Sequence, residues 1–237
     1  MAIQLGLDGA SVRLVDAHKD TEQLRAVLAL TRDRYDSYVR AIDVGESDKA
    51  TYWRIVFSIL SVHSPLDATF EAYRALRVWR ARYNRIPSQR KLGTLLLLAR
   101  GNDGVIQYTN QKAIYIREFD AKWQSDKEQF LRNGDTDADW RARIQSNVKG
   151  LGLAKASFAV ALANPATSDV CCIDTHMYQL FTGIVPKSSI KPSVYLALEN
   201  AIRELGKEFG LSTFATQWCL WDAQRGQSNP HSVLATI

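Results

Sequence analysis

Apolar residues recur at helical spacing along almost the whole of this 237-residue chain, and this pattern constrains the fold more than any other feature. Helices are predicted over residues 20–44, 52–62, 67–83, 87–100, 110–131, 140–148, 153–163, 175–182, 193–209 and 212–223. No segment alternates apolar and polar residues between hairpin turns, so strands are at most minor. The sequence therefore predicts an all-α protein.

Composition excludes several classes of protein. With 46% hydrophobic and 23% charged residues, the bulk of the chain is not disordered. The apolar run at residues 95–99, like every other apolar run in the chain, is far shorter than the about 20 residues needed to cross a bilayer, and no signal peptide is read at the N-terminus. Cys171, Cys172 and Cys219 cannot form a disulfide framework. We therefore expect a cytoplasmic protein that makes no use of a membrane.

The segment WRARIQSNVKGLGLAKASFAVALA, residues 140–163, predicts two short helices joined by a turn that contains Gly150 and Gly152. Glycines at this spacing permit positive φ angles and close approach to another surface. The N–H groups that begin the second helix would form an anion site suited to a phosphodiester, and the net charge of +5 is compatible with such a partner. An ordinary helical corner with a glycine cap explains the same pattern, so both readings stay open.

Four motifs in order carry a family resemblance. They are FSILSVHSP (57–65), YTNQKAIYI (108–116), VKGLGLAKASFAVAL (148–162) and VCCIDTHMYQLF (170–181). Together they resemble the LLSxQ, YNxKAxxI, LPGVGxKTA and VDTHV or VDVHM segments of the helix-hairpin-helix (HhH-GPD) DNA glycosylase superfamily, which includes endonuclease III and 8-oxoguanine glycosylase. The resemblance implies a base-flipping enzyme that acts as a monomer on double-stranded DNA.

The same resemblance implies a two-lobed all-α fold. A helical barrel would span residues 47–165 and carry the hairpin at 148–155, and a second lobe would combine residues 1–46 with 166–237. The active-site cleft would lie between the lobes.

Asp174 falls on the family's catalytic aspartate, whose carboxylate stabilises positive charge on the sugar and orients or deprotonates a water molecule. The same residue is a suitable cap for a helix that begins at Thr175. His63 falls on the residue that fills the gap left by the flipped nucleotide, although a histidine at a helix end can simply bond to backbone.

The hairpin residues Gly150, Gly152, Lys149 and Lys155 are expected to contact the DNA backbone without reading its sequence. In relatives, backbone carbonyls at the positions of Ser146, Val148 and Leu151 bind a monovalent cation, so the resemblance implies a structural cation here. No other cofactor is expected.

Two departures from the family pattern change the expected chemistry. Bifunctional members have a Schiff-base lysine where this chain has Ala154, and Lys155 lies one position later, a rotation of about 100° on a helix. We therefore expect direct hydrolysis without strand cleavage. Endonuclease III has four closely spaced cysteines near its C-terminus, whereas only Cys219 lies there in this chain, so no iron–sulfur cluster is expected.

The C-terminal segment places Trp218, Trp221, Asp222 and Arg225 at helical spacing. They form either a packed core face with one ion pair, or a pocket wall where an aromatic ring stacks on the flipped base and Arg225 pairs with an anionic group. The segment also resembles a viral branch of the superfamily that hypermodifies thymine, for which the location would be the host cytoplasm.

Three functions follow as hypotheses. The first is a monofunctional DNA glycosylase that hydrolyses the N-glycosidic bond of a damaged or modified base. The second is an enzyme of DNA base hypermodification, an amino acid or polyamine transferase or a pyrophosphorylase that acts on phosphorylated 5-hydroxymethyluracil. The third is a DNA-binding module without catalysis, against which the carboxylate of Asp174 speaks, because a pure binder gains nothing from an anion beside phosphates.

Overall fold

The computed structural model describes residues 17–42 and 47–225, and within them the chain is almost entirely helical. The helices are α1 (Ala17–Ile42), α2 (Asp48–Leu60), α3 (Leu66–Tyr83), α4 (Gln89–Leu98), α5 (Thr109–Ser125), α6 (Asp137–Asn147), α7 (Leu153–Ala161), α8 (Thr175–Thr182), α9 (Pro192–Phe209) and α10 (Thr213–Arg225). One short antiparallel hairpin pairs β1 (Arg100–Gly101) with β2 (Gly104–Val105). The predicted all-α fold is confirmed.

Side-chain caps and left-handed residues set several helix boundaries. The Ser47 hydroxyl accepts the Ala50 N–H at the start of α2, and Thr136 accepts the Asp139 N–H at the start of α6. Such caps satisfy N–H groups that have no partner inside the helix. At the other end of a helix, Asn84 turns the chain out of α3 in the left-handed conformation.

The helix predicted over residues 110–131 is wrong in its length. Helix α5 ends at Ser125, Asp126 is extended, and a short 3-10 turn covers Lys127–Gln129. The break brings Phe130 back onto α5, where its ring lies 5.2 Å from that of Phe119. Burial of Phe130, which is fully inaccessible, outweighs continuation of the helix along an exposed polar stretch.

The described residues form two compact units. The central unit contains residues 47–163, and the terminal unit combines residues 17–42 with 164–225. In the central unit α2 packs against α3, α5 and α7, and the Phe57 ring contacts those of Phe70, Tyr73 and Phe158. In the terminal unit α10 packs against α1, α8 and α9.

Across residues 17–42 and 47–225, none of the helices has an apolar stretch long enough to span a membrane.

Candidate active site and nucleic-acid interface

The carboxylate of Asp174 is held by hydrogen bonds to both of its oxygens. Oδ1 accepts the Met177 backbone N–H at 3.0 Å, which makes Asp174 the N-cap of α8. Oδ2 accepts the indole N–H of Trp221 at 2.9 Å, from a residue 47 positions later in the chain. Because each carboxylate oxygen has two acceptor sites, both oxygens keep capacity for a further partner. The half-buried side chain is therefore fixed in orientation and still available to a ligand.

The Trp221 side chain is buried and lies next to this carboxylate. Its side chain is 9% exposed, and its ring contacts His176 at 6.4 Å and Trp218 at 5.1 Å between centroids. Trp218 is itself buried and contacts Phe214 at 5.9 Å. The structure thus brings Trp218 into the core of the terminal unit and Trp221 into direct contact with Asp174.

Asp222 is 2% exposed and accepts a hydrogen bond from the hydroxyl of Tyr35 in α1. The side chain of Arg225 lies outside the described residues, so its proposed pairing with an anion stays a prediction.

Glycine is present at the two hairpin positions for different physical reasons. Gly150 has a φ of +86°, and a Cβ there would lie 2.3 Å from the Tyr115 ring, so no other residue fits. Gly152 caps α7 with φ −77°, and a Cβ there would meet nothing within 4 Å. Gly150 thus serves packing within the protein, whereas the space around Gly152 is open to a partner.

The start of α7 has the features of an anion site. Gly152 provides no side-chain cap, so the first N–H groups of the helix are not capped by a side chain. Lys149 lies beside this turn, with its ammonium 3.1 Å from the Glu118 carboxylate. Lys155 is half-buried, and its ammonium lies 5.2 Å from the centre of the Phe158 ring.

Two carbonyl groups near the hairpin already accept hydrogen bonds within the protein. The Val148 carbonyl accepts the Leu151 N–H at 3.3 Å, and the Lys122 ammonium donates to the Asn147 carbonyl at 2.8 Å. A carbonyl oxygen can accept a second partner, so a monovalent cation on Ser146, Val148 and Leu151 stays a prediction.

His63 stands on an exposed turn beside a second aromatic residue that the sequence analysis missed. His63 and Tyr108 both have positive φ, 49° and 53°, and their rings lie 5.8 Å apart. Tyr108 is 66% exposed. Left-handed backbone at bulky residues is strained and concentrates at functional sites. Neither the backbone angles nor the proximity of two residues 45 positions apart leaves a trace in the sequence.

Two polar contacts hold this turn. The Ser64 hydroxyl accepts the Gln107 N–H at 3.0 Å and the Lys112 ammonium at 2.6 Å. Lys112 also donates to the Leu60 carbonyl at 2.7 Å, at the end of α2. Burial, together with the nearby charge of Lys155, lowers the pKa of Lys112 to about 7. Lys112 is thus a buried residue whose hydrogen bonds link α5 to the turn that carries His63.

Comparison with known proteins agrees with this architecture. The crystal structure of the 8-oxoguanine DNA glycosylase of Methanocaldococcus jannaschii superposes with a TM-score of 0.71 at 17% identity, over 89% of this chain and 97% of that chain. The 8-oxoguanine DNA glycosylase of Thermotoga maritima gives 0.69 at 17% identity, over 89% and 98%. The M. jannaschii 8-oxoguanine glycosylase/lyase in complex with a 15mer DNA containing 8-oxoguanine gives 0.63 at 19% identity, over 88% and 97%. At these identities the likeness concerns the fold.

The sequence model of the 8-oxoguanine DNA glycosylase family (Ogg-HhH) matches residues 31–211, which is most of the chain and includes the hairpin and Asp174. No curated protein sequence matches significantly. A helical fold with a hairpin at 148–152 defines a helix-hairpin-helix protein of the DNA glycosylase type. More narrowly, the chain belongs to the 8-oxoguanine DNA glycosylase family of base excision repair. Membership of the superfamily is thereby confirmed, while the viral branch stays a prediction.

Proposed function

We propose that this protein flips a damaged base out of duplex DNA and hydrolyses its N-glycosidic bond with Asp174 as the catalytic carboxylate. One observation carries this proposal: a half-buried carboxylate, in the segment that resembles the family's catalytic motif, with both oxygens fixed by N–H donors. A preorganised anion of this kind stabilises developing positive charge without the cost of reorganising water.

In the proposed reaction the bond between C1′ and the base nitrogen breaks, and its electron pair leaves with the base. Positive charge then develops on the sugar, opposite the negative charge of Asp174. Water adds to C1′, and its proton passes to the carboxylate, which can still accept it on a lone pair not used by Met177 or Trp221. The proton then passes to the nitrogen of the departed base, which leaves Asp174 ionised again.

We propose 8-oxoguanine as the first substrate to test. Support comes from the family to which the chain belongs and from the glycosylase/lyase with a similar fold that was crystallised with DNA containing this base. A duplex base must leave the stack to reach any such site, so the enzyme needs groups that fill the gap.

The exposed rings of His63 and Tyr108 are proposed to fill that gap together. Hydrogen bonds of Ser64 with Gln107 and Lys112 join the two turns that carry these rings and would keep both rings in place as bases unstack. The uncapped start of α7 and the neighbouring Lys149 are proposed to bind a phosphate, which would position the DNA without reading its sequence.

We propose hydrolysis without lyase chemistry because Ala154 stands where bifunctional relatives have lysine. Lys155 is half-buried over the Phe158 ring, and Lys112 is engaged by Leu60 and Ser64. Neither amine occupies the position from which the family's lysine attacks.

The experiment is to incubate the protein with duplexes that carry single modified bases, 8-oxoguanine among them, and to analyse products by mass spectrometry. Free base with an intact abasic strand supports the proposal. An intact strand of altered mass would instead support base modification by group transfer. No change on any duplex, with binding retained, would support the module without catalysis.

A further inference from the structure

The apolar run at residues 95–99 is only partly buried in the core. In the run 95–99, Leu96 is fully buried, whereas Leu97 and Leu98 are 61% and 70% exposed. Isolated exposed leucines are ordinary, but Leu98 belongs to a larger apolar surface.

That surface is a groove of about 820 Å³ between α3 and α4 of the central unit. Its apolar lining consists of Ala75 and Trp79 from α3, of Leu95 and Leu98 from α4, and of Ala99 directly after α4. A groove between two helices with aliphatic walls is the shape that receives the apolar face of an amphipathic helix.

Cations surround the groove. Arg90, Lys91 and Arg100 line it, and within residues 17–42 and 47–225 none of them forms an ion pair. Glu71, the acidic residue of the lining, is already paired with Arg74 at 3.3 Å. The groove therefore has a surplus of positive charge beside an apolar wall.

We propose that this groove binds an acidic amphipathic peptide segment of a partner protein, with its leucine or aromatic side chains against Trp79 and Leu98 and its carboxylates facing the three cations. Charge complementarity would select and steer the segment, and burial of apolar surface would hold it. Such a groove would recruit the protein to its partner independently of any catalytic step.

The lining favours a peptide over a nucleic acid strand. Strands bind by stacking bases on open aromatic faces. Trp79 is half-buried, its ring lies 4.5 Å from the Tyr83 ring and 5.8 Å from the Lys91 ammonium, and it is the single aromatic residue of a lining that is otherwise aliphatic or polar.

The test is fluorescence anisotropy with a labelled synthetic peptide of about 16 residues that carries leucine at helical spacing and aspartate or glutamate elsewhere. We expect micromolar affinity that falls with added salt. One comparison peptide replaces every acidic residue by lysine, and another replaces every leucine by serine. Both should bind at least about tenfold more weakly. Absence of binding by the acidic peptide, or equal binding of all three, overturns the proposal.

Matched variants locate the site. Leu98→Asp and Lys91→Glu should each weaken peptide binding about tenfold. Leu97→Asp, an exposed leucine outside the groove, and Lys187→Glu, an exposed lysine of the terminal unit, should leave it unchanged. Equal effects of Leu97→Asp and Leu98→Asp would contradict the assignment.

Release of 8-oxoguanine and binding of a labelled duplex and a single strand are measured on the same variants. Base release and nucleic-acid binding should be unchanged in all four variants. The test of peptide binding is therefore independent of the test of the proposed glycosylase activity. Loss of single-strand binding in Leu98→Asp and Lys91→Glu would make the groove a nucleic-acid site and overturn the proposal.

Discussion

At the scale of single residues, the contact between Asp174 and Trp221 links two segments that the sequence separates. Asp174 caps its helix, as its position before Thr175 suggests, but a cap alone would leave Oδ2 without a fixed partner. The indole N–H supplies that partner and sets the direction of the carboxylate. Trp221 is therefore a positioning residue for the proposed reaction.

Trp221→Phe should keep the ring and remove the N–H donor. We expect kcat for base release to fall about tenfold or more and DNA affinity to stay constant, because only the orientation of Asp174 is released. Single-turnover kinetics and anisotropy measure the two quantities. Trp140→Phe removes a comparable buried indole hydrogen bond, to the Phe130 carbonyl, and should lower stability by about 1 kcal/mol without a change in kcat. Equal losses of kcat in Trp221→Phe and Trp140→Phe would contradict the proposal that Trp221 positions Asp174.

Ala154→Lys should install the amine that bifunctional relatives use. The variant is expected to form an adduct with abasic or 8-oxoguanine DNA that borohydride traps, whereas the unmodified protein should form none. Denaturing gels of the trapped reactions give the answer. A trapped adduct in the unmodified protein that disappears in Lys155→Ala would show that Lys155 already performs this chemistry.

At the scale of elements, the hairpin and the His63 turn are held by contacts within the central unit. Tyr115 fills the space beside Gly150, and Lys112 and Gln107 both bond to Ser64. Of the two hairpin glycines, only Gly152 has free space around it. The structural role of Gly150 and the DNA contact proposed for Gly152 can therefore be tested separately by mutation.

Gly152→Leu should leave the melting temperature nearly unchanged, because its side chain enters open space. It should weaken binding to all duplexes to a similar, several-fold extent, because it obstructs a backbone contact. Gly150→Ala, by contrast, should destabilise the fold through Tyr115. Thermal melts and anisotropy on duplexes of different sequence check both. Loss of affinity for one sequence alone would contradict a backbone contact.

Because the Lys112 ammonium is buried, the free energy of unfolding should depend on pH. The pKa of Lys112 is about 7 in the folded protein and near its usual 10.5 when unfolded, so the unfolded chain binds more protons between these values. The free energy of unfolding should therefore rise from pH 7 upward, by up to about 1.4 kcal/mol per pH unit.

Urea unfolding at pH 7.0, 7.75 and 8.5 measures this slope, and Lys112→Met should lack the Lys112 contribution. Comparison of the two proteins is needed because Cys219, whose pKa burial raises to about 12, makes stability fall as the pH approaches and passes the usual pKa of a thiol. Parallel curves for the two proteins would show that Lys112 is not a buried amine with a lowered pKa.

At the scale of the whole molecule, helical periodicity predicted nearly every helix, and the order of four motifs predicted the superfamily. Both signals are local, so the sequence carries them directly. The break at Asp126, the pairing of His63 with Tyr108 and the donation from Trp221 to Asp174 could not be predicted, because each depends on packing between residues distant in the chain. The residues proposed to contact DNA lie in the central unit, and the carboxylate proposed to be catalytic lies in the terminal unit.

The most direct test of the central claim is release of free 8-oxoguanine from a duplex by the unmodified protein and by Asp174→Asn, followed by mass spectrometry. The substitution keeps the shape of the side chain and removes its charge, so we expect base release to fall by at least about 100-fold with duplex affinity within a few-fold. Full base release by Asp174→Asn would contradict the assignment of Asp174. Absence of 8-oxoguanine release by the unmodified protein, on a duplex that it binds, would contradict the proposed substrate.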